Sequence, residues 1–132
     1  MRLHHAVTVC ISQENAERFY EGILGLKKTK TSELNEDLSK ALFGVARECR
    51  IVLYENEDFA IEVFMEGLIQ AKANPFEHIC LEVENREGFL KKCQTSGLSV
   101  KRIPKGDSLL VFIEDYDGNL FEIKELINNP KF

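Results

Sequence analysis

Clustered basic residues, long apolar runs and closely spaced cysteines are all scarce in this sequence. Its 17 lysines and arginines are outnumbered by 22 aspartates and glutamates, which gives a net charge of −5. This balance excludes the basic patch of a duplex nucleic-acid binder and disfavours attraction to anionic membranes. No apolar run approaches the roughly 20 residues that span a bilayer. The N-terminus enters an apolar strand too early for a signal peptide. We therefore expect neither a nucleic-acid nor a membrane partner.

The four cysteines lack any C-x-x-C spacing, so a thiolate zinc site is not expected. Without a secretion signal they are typical of reduced thiols, and we expect the protein to be cytoplasmic. The 132 residues, 44% of them hydrophobic, suit one domain over 1–132 with a real core.

An internal repeat organises the chain. Residues 3–26 and 77–98 each contain a histidine at the start of a strand, a valine five residues later, and a helix with a phenylalanine. Each helix ends in Gly-Leu, and glycine at that place is a common helix C-cap because it accepts a left-handed backbone. The repeat predicts two related modules.

Strand-like segments follow each helix, and D-G-N at 117–119 is a tight-turn signal. The predicted strands are 42–45, 49–54 and 60–65 in the first half and 99–103, 109–114 and 120–124 in the second. The order β-α-β-β-β, repeated, predicts an α+β fold with module one at 1–66, a linker at 67–75, module two at 76–126 and a tail at 127–132. The polar run 31–40 reads as a loop, with or without a role over a cleft.

Alternation along the strands separates a helix-covered face from an open face. In L-H-H-A-V-T-V, the parity of His5 is shared by Leu3, Val7, Val9 and Ile11, and this more apolar face is expected to lie under the helix. His4 then faces the other way, and matching valines pair it with His78 in the second copy.

The final strand of each module places a glutamate on the same open face. Glu62 alternates with apolar residues in A-I-E-V-F-M, and Glu122 does so in L-F-E-I-K. If each sheet curls into a cleft, His4, Glu62, His78 and Glu122 could meet there. Such nitrogen and oxygen donors suit Zn, Ni, Co, Mn or Fe(II), with positions left for water or substrate. The same residues also suit a polar pocket or an ordinary solvated surface.

Two stretches carry a family resemblance over nearly the whole chain. L-H-H-A-V-T-V…F-Y-E-G-I-L-G-L and H-I-C-L-E-V…F-I-E-D-Y-D-G-N-L-F-E-I resemble the vicinal oxygen chelate superfamily, which includes glyoxalase I, bleomycin-resistance proteins and extradiol dioxygenases. The resemblance implies paired β-α-β-β-β modules with curled mixed sheets, and a homodimer whose cleft is shared between subunits. It also implies one divalent metal ion per site, held by His4, Glu62, His78 and Glu122.

The activity implied is that of a metal-dependent lyase or isomerase like lactoylglutathione lyase. The metal would polarise vicinal oxygens of a small substrate, and Glu122 and Glu62 would act as bases around an enediolate-type intermediate. A non-catalytic small-molecule binding or resistance protein and a Fe- or Mn-dependent dioxygenase stay open as alternatives.

The sequence departs from the glutathione-dependent members at two places. Thr8 stands four residues after His4, where those members have an arginine, and V-F-M-E-G after Glu62 lacks their polar Thr-x-Asn pattern. Recognition of glutathione is therefore not implied. K-G-D-S-L at 105–109 resembles a loop of fosfomycin-resistance enzymes, but those lack the first glutamate, and Glu62 weighs against that activity.

Overall fold

The structure, a computed structural model, describes residues 1–66 and 74–127 and divides into two compact units, Met1–Ala71 and Lys72–Phe132. Most of the predicted linker and tail lies outside the described residues. Among the helices of those residues, none is long and apolar enough to cross a membrane. Each unit contains one four-stranded mixed sheet, so the predicted α+β fold of two β-α-β-β-β modules is confirmed.

The two sheets have the same topology. The strands of the first are β1 (Ala6–Cys10), β2 (Lys27–Leu34), β3 (Cys49–Glu55) and β4 (Ala60–Met65), in the spatial order β1-β4-β3-β2. The strands of the second are β5 (Ile79–Val83), β6 (Val100–Lys105), β7 (Ser108–Glu114) and β8 (Leu120–Glu125), in the order β5-β8-β7-β6. In each sheet the first and last strands pair in parallel and the other pairs are antiparallel. The repeat seen in the sequence is thus a repeat of structure.

The first helical segment of the first unit packs on one face of its sheet. Helix α1 (Gln13–Ala16) begins at Ser12, whose side chain accepts a hydrogen bond from the Asn15 backbone N–H, and it continues as a π-helix over Glu17–Glu21. Phe19 and Tyr20 are fully buried on this segment, beside core residues of β3 and β4 such as Val52 and Val63. We call the opposite face of each sheet the open face.

The second unit repeats this arrangement with helix α3 (Arg86–Thr95). The Asn85 side chain caps its first turn by accepting from the Gly88 backbone N–H, and Leu90 and Cys93 bury its inner face. Phe121 and Ile123 of β8 complete the core, which leaves Glu122 between them on the open face.

A helix that the sequence did not predict lies between β2 and β3. Helix α2 (Glu36–Phe43) occupies half of the predicted loop at 31–40, and β2 occupies residues 31–34 of it, so the loop prediction is wrong. The helix also covers part of the strand predicted at 42–45, and that strand prediction is wrong. Asn35 caps its first turn by accepting from the Leu38 backbone N–H. Gly44 ends it with φ +77°, a conformation that glycine adopts at little cost. The helix is therefore defined at both ends by local signals.

The face assignment predicted for β1 is also wrong. Thr8 and Cys10 are buried under α1 and the π-helix, whereas Val7 and Val9 are 50% and 37% exposed on the open face. The Thr8 and Tyr20 hydroxyls share a buried hydrogen bond of 2.8 Å. Small side chains on β1 let the helix approach closely, so the more apolar face of this strand is left open. The face assignments predicted from alternation for β4, β5 and β8 are confirmed, because their helix-facing residues are the predicted ones.

Candidate functional site

One histidine and one glutamate lie side by side on the open face of each sheet. In the first unit His5 Nε2 lies 3.7 Å from Glu62 Oε1, and in the second His78 Nε2 lies 3.6 Å from Glu122 Oε1. Strand pairing explains the match, because Val7 is opposite Glu62 and Cys80 is opposite Glu122. Each histidine stands two residues before those positions. The two pairs are therefore equivalent in the repeat.

The other ring nitrogen of each histidine is also held. His78 Nδ1 is 2.8 Å from the Phe76 carbonyl oxygen, which can only accept, so Nδ1 carries a proton. His5 Nδ1 is 2.8 Å from His4 Nδ1. Distances of 3.6–3.7 Å from Nε2 to the carboxylates are too long for an N–H···O hydrogen bond. Neither Nε2 atom is thus hydrogen-bonded to its carboxylate, and each is placed to bind a third atom.

A cavity of about 490 Å³ opens beside the first pair, within the first unit alone. His5 and Glu62 lie on its wall. Most of the remaining lining is apolar and comes from β1, β4 and the α2 region: Val7, Val9, Phe64, Leu34, Phe43 and Val45. Phe43 of α2 meets Phe64 of β4 edge to face, with ring centroids 5.8 Å apart. This size and lining are typical of small-molecule sites.

An ion pair also lines this cavity. Arg47 donates from Nη1 to Glu66 Oε1, and both side chains line the cavity together with Cys49. Burial, and then the nearby Glu66 and Glu33 carboxylates, raise the pKa of the Cys49 thiol. Cys49 is therefore a protonated thiol at neutral pH. Sequence reasoning missed Arg47 because neither residue of the pair lies in a repeated motif.

The second pair has a more polar surrounding. The His78 ring meets Phe112 with centroids 5.4 Å apart, and Lys124 Nζ lies 3.9 Å from Glu122 Oε2. Cys80 is exposed on the same strand face. Burial first, and the Glu122 carboxylate second, raise the pKa of the Cys80 thiol, which disfavours the thiolate that a nucleophile requires.

The sequence matches a model of a known protein family. The model described as the Glyoxalase/Bleomycin resistance protein/Dioxygenase superfamily matches residues 2–123. The chain belongs to this superfamily. The four-stranded mixed sheet of each unit, with its β-α-β-β-β order, is the fold that the resemblance in the sequence implied.

Lactoylglutathione lyases are relatives in sequence. Those of Salmonella typhimurium and of Escherichia coli O157:H7 are each 28% identical over 131 residues, which covers 95% of this chain and 93% of theirs. This identity supports common descent at the superfamily level.

Solved structures of the superfamily share the fold. A glyoxalase family protein from Enterococcus faecalis has a TM-score of 0.71 at 16% identity, covering 92% of this chain and 95% of its own. The fosfomycin resistance protein FosX from Mesorhizobium loti has a TM-score of 0.66 at 17% identity, covering 93% and 90%. A FosX variant from Listeria monocytogenes, in complex with Mn(II) and a dihydroxypropylphosphonic acid, has a TM-score of 0.67 at 14% identity, covering 93% and 88%.

The residue of the first unit that is equivalent to His78 is His5, because each stands two residues before the residue opposite the glutamate. The sequence argument chose His4, because it aligned the two copies on their valines and took the apolar face of β1 for the helix-covered face. The structure pairs His5 with Glu62 and joins His4 to His5 by their Nδ1 atoms. A second alignment carried the right signal: His5 stands 20 residues before Gly25, and His78 stands 19 before Gly97, whereas His4 stands 21 before Gly25.

The chain still departs from the glutathione-dependent members when His5 is taken in place of His4. The residue four positions after His5 is Val9, which lines the apolar cavity and is no more an arginine than Thr8 is. Thr8 and Cys10 both face the core.

The donor atoms of each pair fit a shared metal ion. Two ligands bound at 2.0–2.2 Å with tetrahedral angles lie roughly 3.4 Å apart, close to the 3.7 Å and 3.6 Å separations of the nitrogen and oxygen atoms. Within residues 1–66 and 74–127, however, no three His, Cys, Asp or Glu side chains are grouped closely enough to hold a metal. Each pair offers two candidate ligand atoms.

Proposed function

We propose that this protein is a metal-dependent, glyoxalase-like lyase or isomerase that acts on a small substrate with vicinal oxygens. The observation that carries the proposal is the recurrence of one His–Glu pair, with the same spacing and the same strand positions, in both units. An ordinary surface His–Glu contact has no reason to recur at equivalent positions. The proposed ligand set is His5, Glu62, His78 and Glu122, with one divalent ion per site. His5 replaces the His4 of the sequence-based prediction.

The carboxylates have a second task in this proposal. A divalent ion, when bound, supplies a Lewis acid for the two vicinal oxygens of the substrate. Either Glu122 or Glu62 would remove the carbon-bound proton and would itself return that proton to the neighbouring carbon, one carboxylate acting from each side of the substrate. The Glu122 side chain is the less exposed of the two, at 15% against 26% for Glu62.

The cavity of the first unit indicates the kind of substrate. Its apolar lining beside His5 and Glu62 favours a substrate that carries an alkyl or aryl group next to its vicinal oxygens. An α-oxo compound, or its hemithioacetal with a thiol, has this shape. The relatives named lactoylglutathione lyase support the same class of substrate.

The proposal includes a homodimer in the cytoplasm. Each unit offers two ligands, whereas a catalytic zinc-type site uses at least three protein ligands. We place one pair from each of two protomers around one metal ion, so that a dimer holds two sites.

The cavity alone favours a second candidate function. An apolar cavity of about 490 Å³ could sequester a small molecule without any metal, as expected of a binding or resistance protein. The two functions differ in whether the His–Glu pairs matter for binding. The Mn(II) complex of the Listeria neighbour makes manganese worth including in any metal screen, together with Zn, Ni, Co and Fe(II).

The Glu122→Gln variant tests the proposal. Amide nitrogen and oxygen fill the same volume but provide no base, so we expect turnover of methylglyoxal and phenylglyoxal hemithioacetals to fall by at least 10²-fold, the typical contribution of general acid–base catalysis. The assay uses protein loaded separately with each metal. Glu114→Gln is the matched control, because Glu114 is an exposed glutamate at the end of β7 in the same sheet.

The outcomes separate the two candidate functions. Full activity in Glu122→Gln would contradict the role of Glu122 as base, and no turnover by the wild-type protein under any metal would contradict the enzymatic assignment. Stoichiometric binding of an aryl ligand by metal-free protein, with no turnover under any metal, would favour sequestration. Cleavage of a catechol by the Fe(II)- or Mn(II)-loaded protein would instead identify a dioxygenase.

A further inference from the structure

We propose that His4 is a positioning residue: its Nδ1 accepts a hydrogen bond from His5 Nδ1–H and so leaves the lone pair of His5 Nε2 facing Glu62. The inference rests on the proposed function, since it concerns how the first unit presents its nitrogen ligand. Nothing in the superfamily assignment gives His4 a role.

The contrast between the two units supports this role. His78 is held by a backbone oxygen two residues earlier, that of Phe76, at 2.8 Å. His5 occupies the equivalent place, and its Nδ1 is held by the side chain of the preceding residue, also at 2.8 Å. The same task is thus done by main chain in one unit and by a second imidazole in the other.

The direction of the His4–His5 hydrogen bond follows from the other end of the ring. A neutral imidazole has one N–H and one bare nitrogen. If His5 carried its proton on Nε2, its Nδ1 would accept from His4, but Nε2 would have no lone pair for a metal, and its N–H would lie 3.7 Å from Glu62, too far for a hydrogen bond. With the proton on Nδ1, the bond to His4 is made and Nε2 is the bare nitrogen that a metal requires. His4 must then accept through Nδ1 and carry its own proton on Nε2.

The location of His4 is consistent with support and not with ligation. His4 precedes β1 and is exposed, and its Nδ1 is already engaged by His5. It lines a separate pocket of about 200 Å³ with Glu62, Ile51 and Leu53, whereas His5 lines the large apolar cavity. Partners of ligand histidines orient the ring and fix its tautomer, and their loss commonly weakens metal affinity 10–100-fold.

The first test needs no metal. Long-range ¹H–¹⁵N spectra of the imidazole rings, recorded on metal-free full-length protein at a pH where histidines are neutral, report which nitrogen of each ring is protonated. We expect Nδ1–H for His5 in the wild-type protein and in His4→Asn, whose amide oxygen can accept from it. In His4→Phe the acceptor is gone, and we expect His5 to become a mixture of tautomers. His78 is the internal control, because the Phe76 carbonyl holds it in every variant.

The second test measures Zn(II) affinity by competition with a chelating dye. We expect about tenfold weaker binding in His4→Phe and near wild-type binding in His4→Asn. His5→Phe, which removes the proposed ligand, should lose more affinity than His4→Phe. All these changes lie at or before the first residue of β1, outside the buried core, so folding is not at risk.

Three results would overturn the inference. They are a proton on Nε2 of His5 in the wild-type protein, unchanged Zn(II) affinity in His4→Phe, and loss of metal in His4→Phe as complete as in His5→Phe, which would make His4 a ligand. Failure of the proposed function looks different. In that case neither His5→Phe nor Glu62→Gln changes Zn(II) binding, while the tautomer spectra still report on His4.

Discussion

At the scale of single residues, two buried tyrosines of the first unit differ in what their hydroxyls meet. Tyr20 shares a hydrogen bond of 2.8 Å with Thr8, and this contact fixes the helix against β1. Tyr54 stacks on Tyr20 at 5.6 Å, but its hydroxyl oxygen finds no hydrogen-bond partner within the described part of the chain. Burial raises the pKa of Tyr54 far above its ordinary value.

This difference predicts that replacing tyrosine by phenylalanine lowers stability at one position and has little effect at the other. Tyr20→Phe leaves the Thr8 hydroxyl buried without its partner and should lower the free energy of unfolding by about 1–2 kcal/mol. Tyr54→Phe removes a hydroxyl that makes no such bond and should change it by less than about 0.5 kcal/mol. Urea unfolding followed by circular dichroism measures both. Equal destabilisation by the two variants would contradict the assignment of the Thr8–Tyr20 bond as the stabilising contact.

The sequence predicted three of the four pair residues at this scale. Glu62 and Glu122 follow from alternation, because apolar neighbours on both sides fix their face. His78 follows from alternation with the apolar residues of β5 that come after it. His5 does not follow, since β1 buries Thr8 and Cys10 and turns its valines to the cavity. Alternation tells which residues share a face, but only tertiary packing tells which face a helix covers.

At the scale of elements, the sequence predicted neither β2 (Lys27–Leu34) nor α2. The signals for α2 were local and readable: Asn35 as N-cap, acidic residues in the first turn, and Gly44 at the end. The polar composition of 31–40 nevertheless indicated a loop and not a helix. The strands 49–54, 60–65, 109–114 and 120–124 were predicted within one residue at each end, because alternation of buried and exposed residues is clear in all four.

The position of α2 predicts an effect on substrate choice. Phe43 lines the cavity against Phe64, whereas Leu42, its neighbour on the same helix, does not. Both are similarly exposed, at 56% and 62%. Phe43→Ala should therefore raise the KM for a phenylglyoxal hemithioacetal about tenfold, since an aryl group loses one to two kcal/mol of apolar contact, and leave that for the methyl analogue nearly unchanged.

Leu42→Ala is the matched control for that measurement. It removes a comparable exposed apolar side chain from the same helix and should leave both KM values as in the wild-type protein. A parallel loss for both substrates in Phe43→Ala would indicate that α2 matters for the fold of the cavity and not for recognition of the aryl group.

At the scale of the whole molecule, the duplication divides one proposed metal site into two halves. Each unit has its own sheet, its own core and its own His–Glu pair. Neither half has enough ligands by itself. The proposed dimer is the arrangement in which the two halves of a site come from different protomers.

Mixing two inactive variants tests that arrangement. One chain carries His5→Phe with Glu62→Gln, which destroys the first pair, and the other carries His78→Phe with Glu122→Gln, which destroys the second. In a mixed dimer with shared sites, one site combines two damaged pairs and the other combines two intact pairs. We therefore expect each variant alone to bind no metal, and the mixture, after unfolding and refolding together, to regain metal and activity. Random pairing makes half of the dimers mixed, and each holds one of two sites, so recovery should approach one quarter of the wild-type level at full reassembly. Elemental analysis of the refolded mixture measures the metal, and two separately refolded variants combined afterwards are the control. No recovery in refolded dimers would mean that both pairs of a site belong to one chain.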